Sequence, residues 1–204
     1  TATIYEKGAE VIGMLRALVG DDGYKAALDL YFDRHDGQAC TIEDWLKVFE
    51  DATGRDLTQF KRWYSEAGTP RLQVAEHFAD GRYELTFTQN NPATPGQAVK
   101  QPKVIPIAVG LLNPNGDEVV PTQVLEMTQD NQTFSFDGLA AKPVASILRG
   151  FSAPVVLERS VSNEERAFLL AHETDAFNKW EAGRALAREV MARMITEGAA
   201  VSPD

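Results

Sequence analysis

Three short stretches of this chain carry residue types that could do chemistry. The first is "TIYEKG", residues 3 to 8, which sets the phenol of Tyr5 beside a glutamate and a lysine. A phenol can pack, or it can donate a hydrogen bond to an oxygen that gains negative charge during a reaction. The second is "HETDA", which begins like the H-E-x-x-H metallopeptidase signature, where two imidazoles one helical turn apart hold a zinc ion. Here the second histidine position is Ala176, so His172 reads as a surface or interface residue. The third is the loop "DRHDGQACTIED". Its glycine falls at the fifth position, where a calcium loop needs it at the sixth, and His35 occupies a carboxylate position. That loop reads as a helix connection. Cys40 lies near His35 in sequence, but a nucleophilic thiol also needs a base within reach and an oxyanion hole. His77 is isolated as well. The chain contains no G-x-S-x-G elbow, phosphate-binding loop or dinucleotide fingerprint. The sequon at Asn131 implies glycosylation only in a secreted chain.

The elements that must position these residues follow from periodicity. Thr3 and Glu6 match a capping box, which predicts a helix starting at Thr3. Val11, Met14, Leu15 and Leu18 then form an apolar stripe that ends at Gly20. A second helix is expected from about Asp22 to Arg34, with Gly37 just past its end. Thr41 and Asp44 start a third, which stops near Gly54, and a fourth covers about Leu57 to Tyr64. At "AGTP" the period changes to two. "RLQVA", the turn "ADGR" and "YELTFTQ" form a hairpin in which Tyr83, Leu85 and Phe87 share a face. After the Pro-rich loop "NNPATPGQAVKQP", short runs including "VIPIAVGLL", "EVVPTQVLEM", "TFSF", "PVASILRGF" and "APVVLE" predict a small antiparallel β-sandwich. Ser162 and Glu165 form another capping box, and two helices follow. Their apolar residues, Phe168 and Leu169 through Trp180, Val190 and Met194, require a partner surface.

Charge and composition narrow the function classes. A formal net charge of -10 and the lack of any long basic run argue against nucleic acid. No apolar stretch approaches the roughly 18 residues of a membrane-spanning helix, which argues against a membrane partner. A single cysteine excludes a disulfide within the chain, and this suits a reducing compartment. The first residue is threonine, which reads as an internal starting point.

The run "TIYEKGAEVIGMLRALVG" resembles the tyrosine-bearing segment of the aminopeptidase N family of zinc metallopeptidases. "LYFDRHDGQACTIEDWLKVFEDATG", "FKRWYSEAGTP", "NNPATPGQAVKQP", "IPIAVGLL", "QTFSFDG", "LRGFSAPVVLE" and "FNKWEAGRALA" are similar to bacterial members, in the same order. The likeness covers essentially the whole chain. It implies an α+β multidomain fragment. Residues 1–69 would be the helical end of a thermolysin-like catalytic domain, 70–160 an antiparallel Ig-like β-sandwich, and 161–204 the start of a C-terminal helical domain.

In the family, the tyrosine of the Tyr-Glu-Lys-Gly run faces the substrate carbonyl across from zinc, which makes Tyr5 the expected catalytic residue. A phenol, ionising only near pH 10, can hydrogen-bond to an oxyanion without losing its proton. Such donors contribute roughly 3 to 4 kcal/mol in the transition state. Glu6 is read as a cap, Lys7 as a helix-surface charge and Gly8 as room for close packing. The family's zinc ligands precede the tyrosine segment and are not in this sequence. The resemblance therefore implies zinc in the parent enzyme, no metal or cofactor in this segment, peptide substrates, and the remaining aminopeptidase domains as partners. It also implies a cytoplasmic location and no activity of the segment alone. The alternative is a non-catalytic module whose β-sandwich binds a partner by strand addition or serves as a spacer.

Overall fold

The computed structural model of the chain describes residues 3–197. Its first element differs from the expected capped helix. Thr3–Lys7 forms a π-helical turn, which runs into α1 (Gly8–His35). The position preceding α1, Lys7, is itself helical and makes no side-chain cap. The Thr3/Glu6 capping box is therefore not formed, because a chain already turning offers no extended residue from which a side chain could reach back. Gly20 leaves helical geometry (φ 73°, ψ 170°) and divides α1 into two arms, at the position where the apolar stripe stops.

The helix α2 (Ile42–Thr53) begins as its sequence requires. The Thr41 hydroxyl accepts from the Asp44 N–H at 3.2 Å, and the Asp44 carboxylate accepts from the Thr41 N–H at 2.9 Å. Gly54 ends the helix in the left-handed region at φ 69°. Leu46, Val48 and Phe49 are buried against Val11, Met14 and Leu15 of α1 in a common core. The expected fourth helix is shorter than its apolar pattern suggests. Turns lead into α3 (Arg62–Ser65), where Trp63 is buried and donates from Nε1 to the Val104 carbonyl at 2.7 Å.

The sandwich starts at β1 (Arg71–Ala79), which pairs with β2 (Arg82–Asn90) across a two-residue turn. Both turn residues, Asp80 and Gly81, have positive φ, as the right-handed twist of a tight hairpin demands. The other strands are β3 (Ile105–Leu112), β4 (Glu118–Met127), β5 (Asn131–Phe136), β6 (Val144–Ile147) and β7 (Val156–Glu158). One sheet has the order β5-β2-β1-β7 and the other β4-β3-β6. Every residue of β3 is buried, since it is the central strand of its sheet and α1 also lies against it. Pairing is antiparallel except between β1 and β7, which run parallel with Leu72 opposite Leu157.

Expected as one strand, "PVASILRGF" instead breaks after Ile147. Leu148, Gly150 and Phe151 all have positive φ, and Arg149–Phe151 makes a single 3-10 turn. The cause is Arg149, whose side chain turns into the protein over Gly110. A Cβ at Gly110 would lie 2.1 Å from its Nη1, so only glycine leaves room for the guanidinium. Nη1 donates to Thr122 Oγ1 at 2.9 Å and pairs with Glu118, while Nη2 lies 2.8 Å from Glu173 Oε1.

Ser162 starts α4 (Asn163–His172) by accepting from the Glu165 N–H at 3.2 Å. Only this half of the expected capping box forms, because the Glu165 carboxylate pairs instead with Arg159 at 2.6 Å. In α5 (Ala176–Glu197), Ala182 packs with Leu169 of α4 and Leu112 of β3 in a small second cluster. Trp180, Met191 and Ile195 stay exposed.

Candidate functional site

Tyr5 projects from the π-helical turn and is 74% exposed, as is its neighbour Ile4. No residue of the turn is buried, so packing does not hold it. Lys7 does. Its ammonium donates to the Gly68 carbonyl at 2.5 Å, across 61 positions of sequence. Burial, and then the nearby charge of Lys100, push the Lys7 ammonium below its ordinary pKa. Lys7 is thus an anchored cation rather than the surface charge expected from its place on a helix. Gly8 does not serve close packing with the described residues either, since among them a Cβ there would meet only the Thr3 carbonyl oxygen, at 3.9 Å. Glu6 is exposed.

The acceptor of that bond belongs to a clamped segment, Ser65 to Gly68, between α3 and β1. The Pro-rich loop after β2 grips it from the other side. Gln97 accepts from the Ala67 N–H at 2.8 Å and donates to the Ser65 carbonyl at 2.9 Å, while Lys100 donates to the Ala67 carbonyl at 2.5 Å. Deeper in, Lys103 donates to the Arg62 carbonyl at 2.8 Å and to Glu66 at 2.9 Å, with its ammonium 5.6 Å from the Trp63 ring centre. Burial lowers the Lys103 pKa, and Glu66 offsets this only in part. Three lysines therefore donate to carbonyls of α3 and of the segment that follows it, Lys103 to Arg62, Lys100 to Ala67 and Lys7 to Gly68. Sequence reasoning missed this set and took residues 90–102 for a plain loop. Its signal was Gln97, Lys100 and Lys103 spaced among prolines, but what they bind lies some 30 to 40 residues upstream.

The other candidates do not converge. His35 lies against Tyr31, with ring centres 5.5 Å apart, and the Cys40 thiol donates to the Gln38 carbonyl at 3.7 Å. His172 packs against Phe168, with the rings tilted by 39°, and covers Gly116. The "HETDA" stretch is the break between α4 and α5. There Glu173 is buried and accepts from the Thr174 and Asp175 N–H groups, and Asp175 accepts from the Asn178 N–H at 2.8 Å. Among the described residues, no group of three or more His, Cys, Asp or Glu side chains gathers closely enough to hold a metal ion. No described helix is long and apolar enough to cross a membrane.

Comparison with known proteins gives this geometry a context. Residues 1–64 match the Peptidase family M1 domain, 68–160 a domain of unknown function with an Ig-like fold (DUF3458), and 163–204 its C-terminal companion described as ARM repeats. The chain is 43% identical to aminopeptidase N of Escherichia coli K12 over 91% of its own length, and 46% identical to that of Caulobacter vibrioides over 100%. It belongs to the aminopeptidase N family. The match spans 22% and 23% of those two relatives, so the chain covers just under a quarter of an aminopeptidase N. A crystal structure of Legionella pneumophila aminopeptidase A in complex with aspartic acid superposes over the whole chain with a TM-score of 0.87 at 30% identity, covering 23% of that chain. The π-helical turn with Tyr5 thus lies in the part that matches the peptidase domain of the family, and the clamped segment adjoins the start of the Ig-like part.

Proposed function

We propose that this chain is the part of a larger zinc-dependent aminopeptidase that supplies the oxyanion-stabilising tyrosine, Tyr5, for removal of N-terminal residues from peptides. The observation that carries this reading is the exposed phenol on a side-chain-anchored turn, within the stretch that matches a peptidase domain. When a peptide carbonyl is attacked, its oxygen gains negative charge and becomes a stronger hydrogen-bond acceptor. A donor aimed at that oxygen helps the transition state more than the ground state, and so raises kcat. A neutral phenol suits the task because it donates without adding a charge that would have to be desolvated.

The residues described here do not fit a zinc site. The histidines lie apart and are occupied by ring contacts or exposed, and no carboxylate cluster accompanies them. The metal and the groups that hold the substrate amine belong, in this reading, to other segments of the enzyme. On this account the chain alone turns over no peptide. The acidic, single-cysteine composition fits a cytoplasmic enzyme acting on free peptides.

The test is Tyr5→Phe in the full-length enzyme. Loss of one oxyanion donor lowers kcat by on the order of 10²- to 10³-fold, with metal content and thermal midpoint unchanged. A change below about threefold would remove Tyr5 from the oxyanion role. For the isolated chain, an aminoacyl-anilide assay should give no turnover, and stoichiometric zinc or measurable cleavage would contradict the division of labour proposed.

A further inference from the structure

We infer that Lys7 is a positioning residue for Tyr5: by donating to the Gly68 carbonyl, it fixes the turn that carries the phenol to the segment joining the helices to the sandwich. The inference rests on the reading of Tyr5 as the oxyanion donor. Its basis is the way the turn is held. The π-helical turn has no buried residue, and its last residue, Lys7, at the cap position of α1, makes no side-chain cap. Among the described residues, the Lys7 bond is the turn's side-chain hydrogen bond to the rest of the molecule.

A tether is only as firm as its anchor, and this anchor is held on both sides. Ala67, next to the acceptor, is bonded through its N–H to Gln97 and through its carbonyl to Lys100. Gly68 itself has φ +93°, and a Cβ there would lie 3.2 Å from Lys100 Nζ, so the backbone passes where only glycine fits comfortably. Two residues further on, buried Pro70 accepts from the Val156 N–H at 2.9 Å, which ties the segment to β7. Lys7 therefore transfers the rigidity of the sandwich to a turn that lacks its own. It is two residues from Tyr5, near enough that a change in its anchorage moves the phenol. Misplacement of a reacting group by about 1 Å can cost on the order of 10²-fold in rate.

A double-mutant cycle in the full-length enzyme tests this. Lys7→Met should lower kcat by on the order of 10- to 100-fold with KM within about twofold, and Lys7→Arg, which keeps a cationic donor, should recover most of the loss. In a Tyr5→Phe background, Lys7→Met should cost less than about twofold, because a group acting through Tyr5 has nothing left to position. Equal losses in both backgrounds, or no loss in the wild-type background, would overturn the inference while leaving Tyr5 in its role. A negligible effect of Tyr5→Phe itself would sink both. Metal content and thermal midpoint are followed throughout, and if Lys7→Met does not fold, Lys7→Gln enters the same cycle with the same expected pattern.

Discussion

The helices that precede the sandwich and those that follow it are joined to it in different ways. Leu57, Phe60 and Trp63 belong to the same buried core as Leu72, Phe87, Val104 and Met127, so the first junction is continuous with the interior of the sandwich. Polar bonds supplement this core, with Gln59 donating to the Pro102 and Thr128 carbonyls and buried Lys103 paired with Glu66. The second junction has a small apolar cluster, Leu112, Leu169 and Ala182, and depends mainly on buried charge. Arg149 joins Glu118 and Glu173, and Arg159 joins Glu76 and Glu165. Dispersion and apolar burial tolerate no gap but need no partner chemistry, whereas removing one member of a buried ion pair leaves the other's charge uncompensated unless further partners remain. Tyr5 is tied, through Lys7 and Gly68, to the first of these junctions.

This contrast can be broken from either side. The largest effect expected is for Trp63→Ala, which opens a cavity in the shared core and leaves the Val104 carbonyl without its donor. It should destabilise by about 3 to 5 kcal/mol, and denaturant unfolding followed by helix and sheet signals should shift both transitions together. Separate shifts would show that the helices and sandwich do not share a cooperative core. Glu173→Ala comes next. Because Arg149 keeps Glu118 and Thr122, the expected cost is about 1 to 3 kcal/mol. Hydrogen exchange should rise in α4 and α5 while α1 and α2 stay protected. Uniform loss of protection would contradict a local junction.

The smallest effect is one of pH. Burial disfavours ionisation of Glu76, but the Arg159 hydrogen bond and charge outweigh it and hold the carboxyl below its ordinary value of 4.5. A carboxyl depressed in the folded state contributes stability above its unfolded pKa and loses it as pH falls through the folded value. The contribution of this pair is thus intact at neutral pH and fades below about pH 4.5. In Glu76→Gln the acid limb of the stability profile should flatten, and an unchanged limb would remove Glu76 from the account.

Local signals made much of the fold legible. The Thr41/Asp44 box, the stops at Gly20 and Gly54, and the Asp80–Gly81 hairpin depend on residues within four positions of one another, and each forms as its sequence indicates. What failed depends on distant partners. "PVASILRGF" carries the pattern of a strand, yet the chain bends at Leu148 because Arg149 must reach Glu118, 31 residues away. Glu165 has the spacing of a cap but is drawn to Arg159. Thr3 and Glu6 satisfy a motif whose extended first residue the π-helical turn does not provide. Around the candidate site, Tyr5 could be singled out from its segment's resemblance, but the lysine set that anchors its turn is assembled only by the fold.

The most direct test of the central claim compares two ligands of the full-length enzyme, wild type and Tyr5→Phe. One is a peptide ground-state ligand and the other a tetrahedral analogue of the attacked carbonyl. If Tyr5 bonds the oxyanion alone, Tyr5→Phe weakens the analogue by the same factor by which it lowers kcat/KM, and leaves the peptide ligand within about twofold. Equal weakening of both ligands, or of neither, would contradict a hydrogen bond made only in the transition state.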